Sequence, residues 1–566
     1  MSTHRNFDKI CVAVTALMLL ITVLFMNGSA LGIETIIDED AENHAHSVYF
    51  TANDLNGEWS TDGATVIRLN GSSARITGKG AYFYNGDLVI SGGGKYLLSG
   101  TLTDGSIIVD AYKSSKVWLL FDGVDIACSD DACLRIDKAD KVFLTLAEGS
   151  ENSMVSGAAY SEEALEDNTG GVIFSHDDLT INGSGSLTLE GAYKHGIDVN
   201  DELVITGGKL TITAAQDAIH VNDGICIGGG ELVITAGDDG IHSDTSAYIE
   251  NGSILILSCY EGIEALTVDI AGGDILIYAE DDGINANGRK EGAFGMGGRP
   301  GMRQEEQNAA AEGEEDEETW LHISGGSLTV INGTGNDADG IDSNGDILIT
   351  GGSVRISLVN NGSNSALDYG SESGGTCIIS GGDVVACGSY AMAEGFESES
   401  GQCSVLYNLK DGMNAGTEIV LKDAEENILL SYEAPCSFSS VVLSCPEMQL
   451  GETYLLVIGD SEEEITLEEI AAAYGDAQSS MFFGNMNWGG MQRPRGDGFM
   501  HGRHEGEEAA RADDMQPPEP PEGEAFDGTM PQPPEMPDGE AFDGAMPQMP
   551  APPGMDGISW ELPADP

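Results

Sequence analysis

The chain has 566 residues, with 95 acidic and 24 basic side chains and a formal net charge of -71. That balance argues against nucleic acid, whose phosphates would be repelled, and against an anionic membrane surface. It favours divalent cations, or partners bridged by them. Hydrophobic residues make up 41% and there are 77 glycines, so a large core with many turns is possible.

Arg5 and Lys9 precede an apolar stretch at 10–26, followed by the small-x-small site Gly28-Ser29-Ala30. This predicts a cleaved signal peptide over 1–30 and a secreted protein, extracellular or associated with the cell surface. An uncleaved anchor is the alternative, although 17 residues is short for a membrane span. With the signal gone, no membrane partner is expected. Residues 31–61 read as a polar lead-in. Of ten cysteines, Cys11 would leave with the signal. The odd remainder does not imply a full disulfide framework. Cys128 with Cys133, and Cys436 with Cys445, are close enough in sequence to pair. Cys226 and Cys259 lie in apolar runs as small buried hydrophobes.

From about residue 62 the pattern is short strands and glycine turns. Between Gly196 and Asn344 one phrase recurs six times: Gly-Ile-Asp-Val-Asn (196–200), Ala-Ile-His-Val-Asn (218–222), Gly-Ile-His-Ser-Asp (240–244), Gly-Ile-Glu-Ala-Leu (262–266), Gly-Ile-Asn-Ala-Asn (283–287) and Gly-Ile-Asp-Ser-Asn (340–344). The first three intervals are 22 residues, the fourth 21 and the fifth 57. Such a period marks a solenoid. A second apolar phrase keeps step with it, from 209–213 and 231–235 to 353–357, each copy preceded by a glycine turn. The fold expected is all-β: a right-handed parallel β-helix over 62–402, with regular coils from near Gly171 to near Ser389. The polar, low-complexity segment 288–318 reads as a disordered insertion that explains the long interval. Residues 403–478 read as a small antiparallel β domain capping the open end. Residues 479–566 read as a disordered acidic tail rich in Pro, Met and Gly.

Stacking turns each repeated position into a column. The Ile column, Ile197, Ile219, Ile241, Ile263, Ile284 and Ile341, should point inward. Two residues earlier stand His195, Asp217, Asp239, Glu261, Asp282 and Asp339. Directly after each Ile stand Asp198, His220, His242, Glu264, Asn285 and Asp342. Neighbouring coils should lie about 4.8 Å apart. Two bare carboxylates at that distance repel by roughly 1 kcal/mol in water and several at an effective dielectric near 20. Asp217, Asp239, Glu261, Asp282 and Asp339, with Asp238, Asp281 and Asp337 beside them, are therefore the candidate Ca2+ ligands, since Ca2+ takes six to eight oxygens. Simple solvated turns are the competing reading. The Asn column at Asn200, Asn222, Asn287 and Asn344 reads as mutual amide bonding, and the histidines as polar rungs rather than ligands.

The chain resembles the secreted carbohydrate-binding right-handed β-helix family, similar in fold to pectate lyases. The residues that carry this are 96–105, 117–126, the Asp-Asp-Gly-Ile coils at 238–242 and 281–285, and 438–442; the resemblance covers about 80–460. It implies Ca2+ on the coils and affinity for plant cell-wall polysaccharides, including cellulose and acidic pectin chains. The ligand-binding residues expected are Asp217, Asp239, Glu261, Asp282, Asp339 and Lys194, in a monomeric, non-catalytic binder. Two alternatives remain. A calcium-dependent lyase needs an Arg or Lys base, and Lys194 is the one candidate in the regular coils. A surface scaffold would act through the insertion and the tail.

Overall fold

The computed structural model describes residues 50–57, 61–287, 319–333, 338–371 and 374–476. All belong to the first of two compact units, Met1–Gly489; the second, Gly490–Pro566, lies outside the described residues. The signal segment 1–30, the insertion 288–318, the tail 479–566 and Asp337 lie outside them too.

The described chain is nearly all β, with one short helix, Glu162–Glu166. Strand alternation places every second side chain inward. In Lys116–Cys128 the inward set is Val117, Leu119, Phe121, Val124 and Ile126, all fully buried. Successive coils pair in parallel along three ladders. One runs Asp87–Ile90, Ile107–Asp110, Leu134–Lys138, Gly171–Ser175, His195–Val199 and on through Ile219–Val221 to Leu367–Tyr369. The second passes through Lys141–Leu146 and Asp178–Gly183. The third passes through Glu151–Ser156 and Ser186–Gly191.

The repeated Ile residues fall in register, Ile197 on Ile219 on Ile241 on Ile263 on Ile284 on Ile341. Each is 0–1% exposed. Burying one such side chain is worth about 2–3 kcal/mol. The glycine corners are required by conformation: Gly230 has φ 102° and Gly326 φ 74°. At Gly326 a Cβ would also meet the Gly272 carbonyl carbon at 2.6 Å, so any side chain would collide with the coil before it.

Parallel pairing is present ahead of the regular coils expected from near Gly171, within the span 62–402 expected for the stack. Thr65–Gly71 already pairs in parallel with Tyr96–Leu102. These early coils keep the inward alternation but fill the core with Tyr96 and Phe121, so the Gly-Ile phrase is absent there. Residues 50–57, read from sequence as part of a polar lead-in, pack on the stack. Asp54 is 1% exposed; its Oδ1 accepts from Thr180 Oγ1 at 2.6 Å and meets Lys141 Nζ at 3.0 Å. Phe50 fills the space above Gly228, where a Cβ would lie 2.5 Å from its ring.

The parallel ladder ends at Asp383–Gly388, because the next strand on it, Phe438–Ser444, runs antiparallel. Ser404–Met413 pairs with that strand, and a separate sheet joins Ile428–Ala434, Thr417–Lys422, Thr453–Ile458 and Ser461–Thr466, all antiparallel. A second core, including Val385, Phe438, Leu443, Leu421 and Ile465, fills the space here. The two cysteine pairs suggested by sequence proximity do not form. All nine described cysteines are buried. Cys133 Sγ turns to Val155 O at 3.3 Å, Cys128 Sγ lies 3.4 Å from Ser106 Oγ, and Cys436 Sγ faces Asn332 O at 3.6 Å.

Candidate functional site

The position after the buried Ile forms a continuous outward column. In register it reads Arg135, Phe174, Asp198, His220, His242, Glu264, Asn285, Asp342, Asp368. The acidic column stands beside it, and its carboxylates fold back onto the stack. Asp217 Oδ1 accepts the backbone N–H of Asp239 at 3.2 Å, and Asp239 Oδ1 accepts that of Glu261 at 3.2 Å. Asp282 Oδ1 accepts from Asp339 N at 2.7 Å, and Asp339 Oδ1 from Ser365 N at 2.5 Å. These carboxylates therefore satisfy backbone donors of the next coil as well as carrying charge. Asp217, Asp239 and Asp282 are only 6–8% exposed.

Burial sets their chemistry. It pushes Glu261 up to about 9, helped by Glu264 and Asp239. It also lifts Asp282 to about 9, with Asp342 and Glu261 adding repulsion, and Asp339 to about 9, with Asp282 and Asp368 adding to it. Asp239 rises to about 7, burial outweighing the His242 hydrogen bond. Without a cation these groups hold protons near neutrality. Asp217 differs: burial raises it, but His195 and the Asp239 N–H bring it below its usual value.

The histidines divide the column. His195 and His220 stack with centroids 4.6 Å apart at 27°, and His220 and His242 at 5.1 Å and 3°. His242 Nδ1 lies 2.6 Å from Glu264 Oε2 and 3.3 Å from Asp239 Oδ2, while Nε2 lies 3.3 Å from Asp244 Oδ1. Burial opposes its charge, yet the bonds to Asp239, Asp244 and Glu264 push it up to about 12. It is an imidazolium held by carboxylates.

Beyond Glu264 the donors are all oxygen. Asn285 donates from Nδ2 to Glu261 Oε2 at 3.0 Å, yet its Oδ1 is buried with no hydrogen-bond donor. Asn285 is itself 6% exposed. Asn285 Oδ1 and the Glu261, Asp282 and Asp339 carboxylates are hard oxygen donors of the kind Ca2+ takes, but among the described residues no three carboxylates of this stretch bring oxygens within 4.8 Å of one another.

Asp217, Asp238 and Asp239 come together, one oxygen of each within 4.8 Å of the others. Asp238 is exposed, and burial together with Asp217 raises it. Asp281 accepts a hydrogen bond from Asn332 through its backbone carbonyl. Lys194 Nζ sits 5.6 Å over the Tyr193 ring, and Tyr193 stacks on Tyr160. Arg135 escaped sequence reading because its coil, Leu134–Lys138, lacks the Gly-Ile phrase; alternation within the strand was the available signal. Its Nη1 bonds Asp131 Oδ2 at 2.6 Å and its Nε bonds Asp137 Oδ1 at 2.7 Å. Lys113, Glu163, Glu166, Asp167 and His176 complete an open groove around it.

The chain belongs to the family described as carbohydrate-binding domain-containing protein, which matches residues 84–383. A carbohydrate-binding domain-containing protein of Acetivibrio thermocellus is 39% identical over 122 residues. That match covers 21% of this chain and 43% of the relative, so the chain spans under half of that protein's length. A solved polysaccharide lyase-like protein from C. thermocellum, a gadolinium derivative, aligns at 24% identity over 54% of this chain and 96% of its own, with a TM-score of 0.35.

Proposed function

We propose that this protein is a secreted, calcium-dependent binder of plant cell-wall-type polysaccharide, acting without catalysis from a right-handed parallel β-helix. The observation that carries the reading is the column held in register from Arg135 to Asp368, in which His220, His242 and Glu264 keep partial exposure while Phe174, Asp198 and Asn285 are buried. Membership of a carbohydrate-binding family supports it. So does the signal-like segment at 1–30.

Glu261, Asp282, Asn285 and Asp339 would hold Ca2+. The bound ion would supply the positive charge that lets one polyanion approach another. The protein's own part is to fix the oxygens: Asp282 and Asp339 each accept a backbone N–H of the next coil, and Glu261 Oε2 accepts from Asn285 Nδ2, so the donors are positioned before any ligand arrives. Acidic pectin chains would then bind across the column through the ion. Neutral cellulose would bind through hydroxyl and stacking contacts that need none.

A lyase would need a free base on this face. Arg135 lies on the column, but Asp131 and Asp137 occupy its guanidinium on two sides. Lys194 is turned over Tyr193. The test is retention on polygalacturonate with and without EDTA, run beside absorbance of unsaturated products. Retention lost in EDTA with no products is expected. Products that vanish in Arg135→Ala or Lys194→Ala would make the protein a lyase. Retention indifferent to EDTA would remove calcium from the reading.

A further inference from the structure

We propose that His195, Asp217 and His220 form a second metal site, selective for a borderline transition-metal ion such as Zn2+ and distinct from the oxygen-only stretch of the column. One donor atom from each residue lies within 4.8 Å of the others. His195 Nδ1 stands 3.1 Å from Asp217 Oδ2, yet that nitrogen is buried without a hydrogen-bond partner. The two atoms are close but not aimed at each other. Ligands sharing one tetrahedral ion show this relation: with metal–ligand bonds near 2.0–2.1 Å they stand roughly 3.3 Å apart and point at a third place.

His220 is prepared in the manner of a metal ligand. Its Nδ1 is engaged by Asp198 Oδ1 at 3.3 Å. A carboxylate on one ring nitrogen fixes the tautomer and leaves Nε2 as the donor. The two rings are stacked with a tilt of 27°. His220 and His242 are parallel within 3°, and their own cluster with Asp244 is more exposed than that of His195, Asp217 and His220. His242 is moreover committed to Glu264, Asp239 and Asp244. The site thus has two imidazoles, one carboxylate and an outward side open to solvent or a ligand oxygen. Imidazole nitrogen favours Zn2+, Co2+, Ni2+ and Cu2+ over Ca2+. The acidic stretch beyond Glu264, lacking imidazole, has the opposite preference.

The test uses the full chain, stripped with EDTA and exchanged into excess Ca2+. It is titrated with Zn2+ by calorimetry and with Co2+ by visible absorption. The expected result is Zn2+ uptake despite the Ca2+, and Co2+ bands of a nitrogen-bound ion of low coordination number. His195→Gln and His220→Gln should each weaken uptake by at least about tenfold and bleach the bands. His322→Gln, on another ladder, should leave both intact. If a histidine variant melts early, Asp217→Asn gives the same reading, because its amide oxygen still accepts the Asp239 N–H. No uptake by the parent chain overturns the proposal. So does uptake unchanged in the His195, His220 and Asp217 variants, which would place the ion on other histidines. Loss of calcium-dependent glycan retention would leave this result untouched, since the site is read without glycan.

Discussion

Asp282 accepts the backbone N–H of Asp339 at 2.7 Å, although 57 residues separate them in sequence. The coil after residues 288–318 therefore stacks directly on the coil before them, and the acidic column continues across the join. With the metal absent, Asp282 and Asp339 lie near 9 and Glu261 near 9, against ordinary values of 3.8 and 4.5. The folded state thus binds more protons than the unfolded state between those limits. Stability is full below the ordinary carboxylate range and is lost as pH rises toward 9. In EDTA the melting temperature should fall from pH 5 to pH 9. Saturating Ca2+ should raise it most at the alkaline end, by mass action on the native state. Equal melting curves with Ca2+ and EDTA across that range would remove the oxygen-only metal site.

Ile241 is in register between Ile219 and Ile263 and is 1% exposed. Ile241→Ala leaves a cavity in a stacked column and should cost about 2–5 kcal/mol. Ile241→Asp buries an unpaired charge and should unfold several coils. Denaturant unfolding checks both. An Asp variant that melts with the parent chain would contradict the inward column.

His242 binds three carboxylates, and its pKa is raised from 6.5 to about 12. A raised histidine stabilises fully below 6.5, and that stability is lost only as pH passes its folded value. The contribution is therefore present throughout the neutral range. His242→Ala should cost about 2 kcal/mol there, less than a fully buried pair because the ring is partly exposed. It should also make Ca2+ a stronger stabiliser, since Asp239, Glu264 and Asp244 lose their counter-cation. Melting of the variant with and without Ca2+ at pH 7 measures this; a Ca2+ increment no larger than the parent's would refute it.

The periodic part of this fold was legible because one phrase repeats. Ile at a constant place demands an inward position, and the carboxylates around it must then stack. What the repeat could not show was direction. Asp217 and Asp282 occupy equivalent positions and each accepts a backbone N–H, yet one also meets an imidazole and the other stands among carboxylates. That difference arises from neighbours on adjacent coils, His195 and His220 against Glu261 and Asp342. Arg135 was obscured because its coil keeps alternation but not the phrase. Asp54 was illegible for a different reason: its partners Thr180, Lys141 and Thr51 span distant parts of the chain.

Asp54 also sets the last expectation. Its carboxylate takes Thr180 Oγ1 and Lys141 Nζ on one oxygen, and Thr51 N and Oγ1 on the other. Its backbone carbonyl accepts from Asn182 Nδ2 at 3.1 Å and from Thr206 Oγ1. The segment 50–57 thus covers Thr180, Val204 and Cys226, outward positions that are nonetheless 0–1% exposed. Asp54→Ala leaves the Lys141 ammonium, 9% exposed, without its partner. Breaking such a pair costs about 3–5 kcal/mol when the remaining charge stays buried. Asp54→Asn keeps one oxygen to accept from Thr180 Oγ1 and Lys141 Nζ and should cost less. If residues 50–57 hold the coils together, Asp54→Ala lowers the melting temperature and admits protease at the lead-in, whereas Asp54→Ala/Lys141→Met recovers much of the loss. A double variant no more stable than Asp54→Ala would show that the stranded charge is not the cause.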